Sequence, residues 1–167
     1  MVTLDTPRLH LRQIVADDFE SAHAVVASDA VRRFLVRDLS REDSFQRHLR
    51  NAGCWALFGY GVFSVFERES GAYVGGCGLF RGLRGLGDDF DPYPEVGWII
   101  GEASWGRGYA TEAMTAILAW FDAEHGGRSV CMIVPGNAAS ERIADKLGYE
   151  AIGLSYYKGG EVMRYAR

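Results

Sequence analysis

The stretch Trp105-Gly106-Arg107-Gly108-Tyr109-Ala110-Thr111-Glu112-Ala113 sets two glycines and an alanine at the point where an apolar helical period begins. Beyond it Ala110, Ala113, Met114, Ile117, Leu118 and Phe121 recur at helical spacing, which predicts a helix with one buried face. The first turn of such a helix has backbone N–H groups without partners, and the positive end of its dipole points outward with them. Glycines let an anion approach those groups closely, so the segment reads as a phosphate cradle. A P-loop would follow its last glycine with Lys and Ser or Thr, but Tyr109 and Ala110 stand there. A dinucleotide fingerprint would place Gly or Ala three residues after Gly108, where the chain has Thr111, and would open the fold after its first strand.

Outward from this segment the chain divides into alternating elements. Alternation predicts a strand over Arg8–Ile14. Helical spacing behind acidic residues predicts a helix from Ala16 or Asp17 to about Ser28, and a second from Ser40, as N-cap, to about Asn51. Strands Tyr60–Arg68 and Tyr73–Phe80 form a hairpin across Glu69-Ser70-Gly71, and a glycine-rich acidic loop follows over Arg81–Asp91. Strand Glu95–Ile100 leads into the glycine turn and the long helix, which ends near Gly126-Gly127. A buried strand over Arg128–Val134, a short helix after Pro135-Gly136-Asn137, and two strands from about Tyr149 and Glu161 complete the order. The expectation is a single domain over residues 1–167, α/β (α+β mixed), with a central mixed, mostly antiparallel sheet of about seven strands flanked by about four helices.

The glycine segment resembles the acyl-CoA pyrophosphate loop of the GNAT superfamily of N-acetyltransferases. The family's loop reads Gln or Arg, two free positions, Gly, one free position, then Gly or Ala; Gly108 and Ala110 match, and Trp105 takes the first place. An aromatic at that place is similar to the branch that includes the N-terminal acetyltransferases of ribosomal proteins. Thr6-Pro7-Arg8-Leu9 with Leu11-Arg12, Glu95-Val96-Gly97-Trp98, Asn137 with Ser140, and Lys146-Leu147-Gly148-Tyr149 extend the resemblance over nearly the whole chain.

The resemblance implies acetyl-CoA as co-substrate, held by Trp98, Ile99, Ile100, Trp105, Gly106, Arg107, Gly108, Tyr109, Ala110, Thr111, Asn137 and Ser140. It implies transfer of acetyl to a primary amine, a protein N-terminus or a small molecule, by direct attack in a ternary complex; a non-catalytic acyl-CoA-binding module is the alternative. A main-chain N–H of strand 95–100 is the expected oxyanion donor. Gly97 shares a strand face with Glu95 and Ile99, leaving room beside the carboxylate. Glu95 is the candidate base for the amine proton, with pairing to a basic residue, or orienting the substrate ammonium, as its other readings. Many family members protonate the leaving thiolate with a tyrosine five residues before the aromatic of the Leu-Gly-Tyr ending; here that position is Ala144, and Ser140 is the available hydroxyl, its other reading being a helix cap. Asn137 suits both a cap and a contact to the pantetheine. Glu112 reads as a helix-stabilising carboxylate and Tyr149 as a packing residue; Tyr156 and Tyr157 would line the acceptor side if they face the cleft, with core or interface packing the simpler reading for aromatic residues in a strand.

Composition sets bounds on the rest. The 167 residues are 48% hydrophobic, with a formal charge of −4, which argues against a general nucleic-acid footprint. Arg32, Arg33 and Arg37, and Arg81 with Arg84, read as solvated surface clusters. Cys54, Cys77 and Cys131 suit reduced thiols, the four histidines are scattered, and no metal site is expected. No apolar stretch spans a membrane and no secretory pattern opens the chain, so a cytoplasmic protein, monomer or homodimer, is expected. Asp88, Asp89 and Asp91 would steer a cationic acceptor if they face the cleft; a solvated loop is the simpler reading.

Overall fold

The computed structural model describes residues 1–35 and 40–167. Eight strands form one sheet: β1 (Thr3–Asp5), β2 (Leu9–Gln13), β3 (Val62–Glu67), β4 (Tyr73–Phe80), β5 (Glu95–Ile100), β6 (Val130–Ile133), β7 (Glu150–Tyr157) and β8 (Gly160–Ala166). Their spatial order is β1-β2-β3-β4-β5-β6-β8-β7. All neighbours are antiparallel except β5 and β6, which are parallel and pair only at Glu95↔Val130. Among the described residues five α-helices accompany the sheet: α1 (Phe19–Ala27), α2 (Asp29–Arg32), α3 (Arg41–Phe58), α4 (Tyr109–Glu124) and α5 (Ala138–Lys146).

The mixed, mostly antiparallel sheet follows the sequence expectation, with one strand and one helix more. Strand β1 is three residues long and pairs Leu4 with Leu11, too short to alternate visibly. Helix α2 is a single turn directly after α1. Helix α3 overruns its expected end: Gly53 stands where a Cβ would meet open space, and Cys54 and Trp55 pack inward, so the helix continues to an αL glycine at Gly59. Its start is as expected, with Ser40 Oγ accepting the Asp43 N–H.

Strand alternation sorts β5 between two helical layers. Val96 and Ile100 join the core under α4, where Ala113, Met114, Ile117, Leu118 and Phe121 are buried. Each large side chain there contributes about 2 kcal/mol of burial, so the long helix is anchored firmly to the sheet. The opposite face of β5 looks toward α1 and α3; a Cβ added at Gly101 would meet Val25 of α1 at 3.3 Å. Parallel strands held at one step separate beyond it, and the edge of β5 is open from Val96 onward.

Candidate functional site

The opening between β5 and β6 leads into a cavity of about 900 Å3. At one end stands the glycine turn. Gly106 has φ +71 and Gly108, the N-cap of α4, has φ +78, a region that glycine enters without strain. A Cβ at Gly106 would meet nothing within 4 Å, so the turn faces free space. The first intrahelical bond runs from Glu112 N–H to Gly108 O, which leaves the N–H groups of Tyr109, Ala110 and Thr111 at the helix end.

Several side chains hold this turn in place. Glu112 accepts from the Thr6 hydroxyl at 2.6 Å, the Arg8 N–H at 3.0 Å and Arg8 Nε at 2.7 Å, while Arg8 Nη1 donates to Arg107 O at 2.9 Å. Arg107 pairs with Glu67 at 2.5 Å, and the Tyr109 hydroxyl donates to the same carboxylate. The Thr6-Pro7-Arg8 segment is therefore a brace for the turn, and Glu112 is the hinge between them. The indole of Trp105 donates to Ile100 O at 2.7 Å, tying the turn to the end of β5.

The strand between the turn and Glu95 offers its main chain. The Gly101 N–H bonds Val74 O, so alternation directs the odd-numbered residues of β5 to β4 and the N–H groups of Trp98 and Ile100 to the opening. Across that opening, the Trp98 indole donates to Ser140 Oγ at 3.2 Å. Asn137 Oδ1 accepts the Ser140 N–H at 3.2 Å, so Asn137 is the cap of α5. The Ser140 hydroxyl is not the cap; it accepts from Trp98 and retains its own proton to donate. Ala144, where a tyrosine is missing, is fully buried.

Of the residues expected to hold the co-substrate, Trp98, Ile99, Ile100, Trp105, Gly106, Gly108, Tyr109, Ala110, Thr111, Asn137 and Ser140 line this single cavity, and Arg107 does not.

The far end of the cavity differs from expectation. Glu95 is 3% exposed, and both its oxygens accept from Arg84, Oε2 from Nε at 2.6 Å and Oε1 from Nη2 at 2.8 Å. Arg84, read from sequence as a solvated charge, is thus a buried partner; burial pulls its pKa down, but the Glu95 carboxylate more than offsets this and raises it. Gly82 explains the close fit, because a Cβ there would collide with Glu95 Oε2. The room expected beside Gly97 is taken by the ring of Phe80, 3.1 Å from where a Cβ would stand. Arg84 Nη1 donates to the Tyr157 hydroxyl at 3.0 Å. Burial raises the Tyr157 pKa, but the charges and hydrogen bonds of Arg84 and Lys158 outweigh it, and the net direction is down. Tyr157 lines the cavity, whereas Tyr156, the next residue along β7, is exposed.

Arg47 and Arg50 of α3 complete this end, and the sequence reading did not single them out. Burial and the nearby Arg50 and Arg84 charges lower the Arg47 guanidinium to about 10. Their spacing of three puts them on one helix face, but nothing local in the sequence marks that face as the one lining a cavity.

The three aspartates of the acidic loop do not face the cavity. The Asp91 carboxylate accepts from the backbone N–H groups of Arg84, Leu86 and Gly87, and Asp89 pairs with Arg164 at 2.6 Å. None of Asp88, Asp89 and Asp91 lines the cavity, which corrects the steering reading. Tyr149 packs, its hydroxyl 2.6 Å from Ser129 Oγ in the core. The three cysteines are free and buried, and burial pushes the Cys77 thiol up to about 12. Among the described residues there is no group of three or more metal-ligating side chains, and no helix long and apolar enough to cross a membrane. Arg37 lies outside the described residues.

Comparison with known proteins agrees with this geometry. An uncharacterised Bacillus subtilis protein, YkkB, is 33% identical over 93 residues, 54% of this chain; the match spans about half of that relative's length, 52%. A solved GnaT-family structure from Bordetella pertussis is 30% identical, covers 100% of this chain and 99% of its own, and superposes with a TM-score of 0.89. RimL, a ribosomal L7/L12 alpha-N-protein acetyltransferase solved in complex with coenzyme A, shares the fold at 17% identity, with 99% and 97% of the two chains covered and a TM-score of 0.78. The family model described as the acetyltransferase (GNAT) domain matches residues 8–150. The chain is a member of the GNAT acetyltransferase family.

Proposed function

We propose that the protein transfers the acetyl group of acetyl-CoA to a primary amine by direct attack of the amine on the thioester, both substrates being bound at once. The observation that carries this reading is the open edge of β5, which runs from a glycine anion cradle at Gly106–Ala110 to a buried polar cluster at Glu95 and Arg84. The pyrophosphate suits the N–H groups at the start of α4, and the pantetheine amides suit the edge of β5 turned away from β4, where the N–H groups of Trp98 and Ile100 lie.

The Trp98 N–H is the donor for the thioester oxygen as charge builds there. An ammonium has no lone pair, so the acceptor must lose a proton before it attacks. A carboxylate has about four acceptor sites, and Arg84 occupies two of those on Glu95, so Glu95 retains capacity to orient the ammonium and take its proton. The Ser140 hydroxyl, polarised by the Trp98 indole, donates to the departing thiolate.

Thiol release from acetyl-CoA, measured against a panel of amines, amino acids and N-terminal peptides, tests the proposal. Amine-dependent release is expected. Acetyl-CoA binding without release for any acceptor, a result that the missing tyrosine at Ala144 would suit, would favour a binding module instead.

A further inference from the structure

The polar end of the cavity has more positive charge than its own carboxylates balance. Helix α3 supplies Asp43, Arg47 and Arg50, the loop after β4 supplies Arg84, β5 supplies Glu95, and the β7–β8 turn supplies Lys158. Glu95 is committed to Arg84, and Asp43 is turned to the start of α3, where its carboxylate accepts from the Ser40 N–H and hydroxyl. Arg50 spends Nε and Nη2 on the neutral Asn51 Oδ1, at 3.3 and 2.9 Å. Among the described residues neither Arg47 nor Arg50 has an ion pair.

This end is also shaped to present those cations. Arg47 and Arg50 share one helix face, and the Arg50 guanidinium lies 4.4 Å over the Phe80 ring. Arg84 lies 5.0 Å over Tyr157. Stacked guanidiniums are fixed in direction before a ligand arrives, which favours planar oxyanions. The CoA phosphates cannot supply the missing charge from the glycine turn. Glu95 and Ile100 are five residues apart on β5, which at strand rise is about 17 Å, roughly two screening lengths of about 8 Å at physiological salt.

We propose that the acceptor is an amine that also carries an oxyanion group, carboxylate or phosphate, and that Arg47 and Arg50 receive that group while the amine faces Glu95 and the open edge of β5. The inference rests on the reading of this cavity as the acceptor site of an acetyltransferase. An anionic amine brings the charge the cluster lacks, and the same guanidiniums reject a simple cationic amine by like-charge repulsion.

The test is calorimetric titration of the protein saturated with coenzyme A, using a panel of amino acids each matched to its own amide, and phosphoethanolamine matched to ethanolamine. At least one carboxylate or phosphate form should bind tenfold or more tightly than its partner lacking the oxyanion, and the advantage should shrink with added salt and in Arg47→Gln. The pair that shows it identifies the oxyanion. Equal affinities within every pair would overturn the inference, a comparison that needs only the wild-type protein. Thiol release from acetyl-CoA separates the two claims. A binding preference without release keeps the anion pocket and overturns the transferase reading, whereas release with the amines that lack an oxyanion as fast as with those that carry one does the reverse.

Discussion

Removal of the Glu95 carboxylate should cost more stability than removal of the whole pair. In Glu95→Ala, Arg84 stays at 13% side-chain exposure beside Arg47 and Arg50, with its only carboxylate gone. Breaking one side of a buried ion pair costs about 3–5 kcal/mol, because the surviving charge is left desolvated. For a domain of this size about 1 kcal/mol moves Tm by 2–4 °C, so a drop of roughly 6–20 °C is expected. Replacing both partners, as Arg84→Met with Glu95→Leu, removes the charge along with its partner and should recover most of that loss. Urea denaturation of wild type, Arg84→Met, Glu95→Leu and the double variant gives the coupling energy, expected at about 3 kcal/mol in the cycle. Additive losses, or a Glu95→Ala variant within about 0.5 kcal/mol of wild type, would refute the claim that this pair is buried and mutually dependent.

Further outcomes follow from the same contacts. Glu112→Ala removes three hydrogen bonds bracing the glycine turn, and should cost about 2 kcal/mol by urea denaturation while weakening acetyl-CoA binding; unchanged affinity would show that the brace does not shape the turn. Ser140→Ala should lower kcat by about 10²-fold with little change in acetyl-CoA affinity, and full kcat would remove Ser140 from thiolate protonation. Burial raises the Asp18 pKa, but Arg12, Ser64 and the Val15 N–H outweigh it and hold it below its ordinary value. A carboxyl depressed in the folded state contributes stability that is present above its unfolded pKa, about 3.9, and is lost as pH falls through the folded value. Asp18→Asn should therefore flatten the acid limb of Tm against pH, and an unchanged limb would place the acid sensitivity elsewhere.

The fold was legible where local pattern and tertiary use agree. Strands β4 and β5 fall on their expected residues because apolar character and turn residues bound them on both sides. Helix α3 runs past its expected end at about Asn51 because burial of Cys54 and packing of Trp55 outweigh the propensity cost of Gly53. The glycine turn was legible because its chemistry is local: two positive φ angles and a helix start lie within a few residues. The Arg84–Glu95 pair was not, since the partners are eleven residues apart and meet only once the loop folds back. Arg47 and Arg50 look in sequence like charges on a solvated helix face; only the placement of α3 against the open end of the sheet turns them inward. The acidic loop misled for the opposite reason, because Asp91 serves its own backbone and Asp89 serves Arg164.

The central claim, that the glycine turn at the start of α4 holds the acyl donor, is tested most directly by calorimetric titration of acetyl-CoA into the wild type and Gly108→Val. Gly108 has φ +78, so a β-branched residue there strains the backbone by on the order of 1–3 kcal/mol, and its Cβ would stand 3.6 Å from Arg8 Nη2 of the brace. The account predicts one acetyl-CoA per chain for the wild type and at least a tenfold loss of affinity in the variant, about 1.4 kcal/mol. A wild type that does not bind acetyl-CoA, or a variant that binds it equally well, would contradict it.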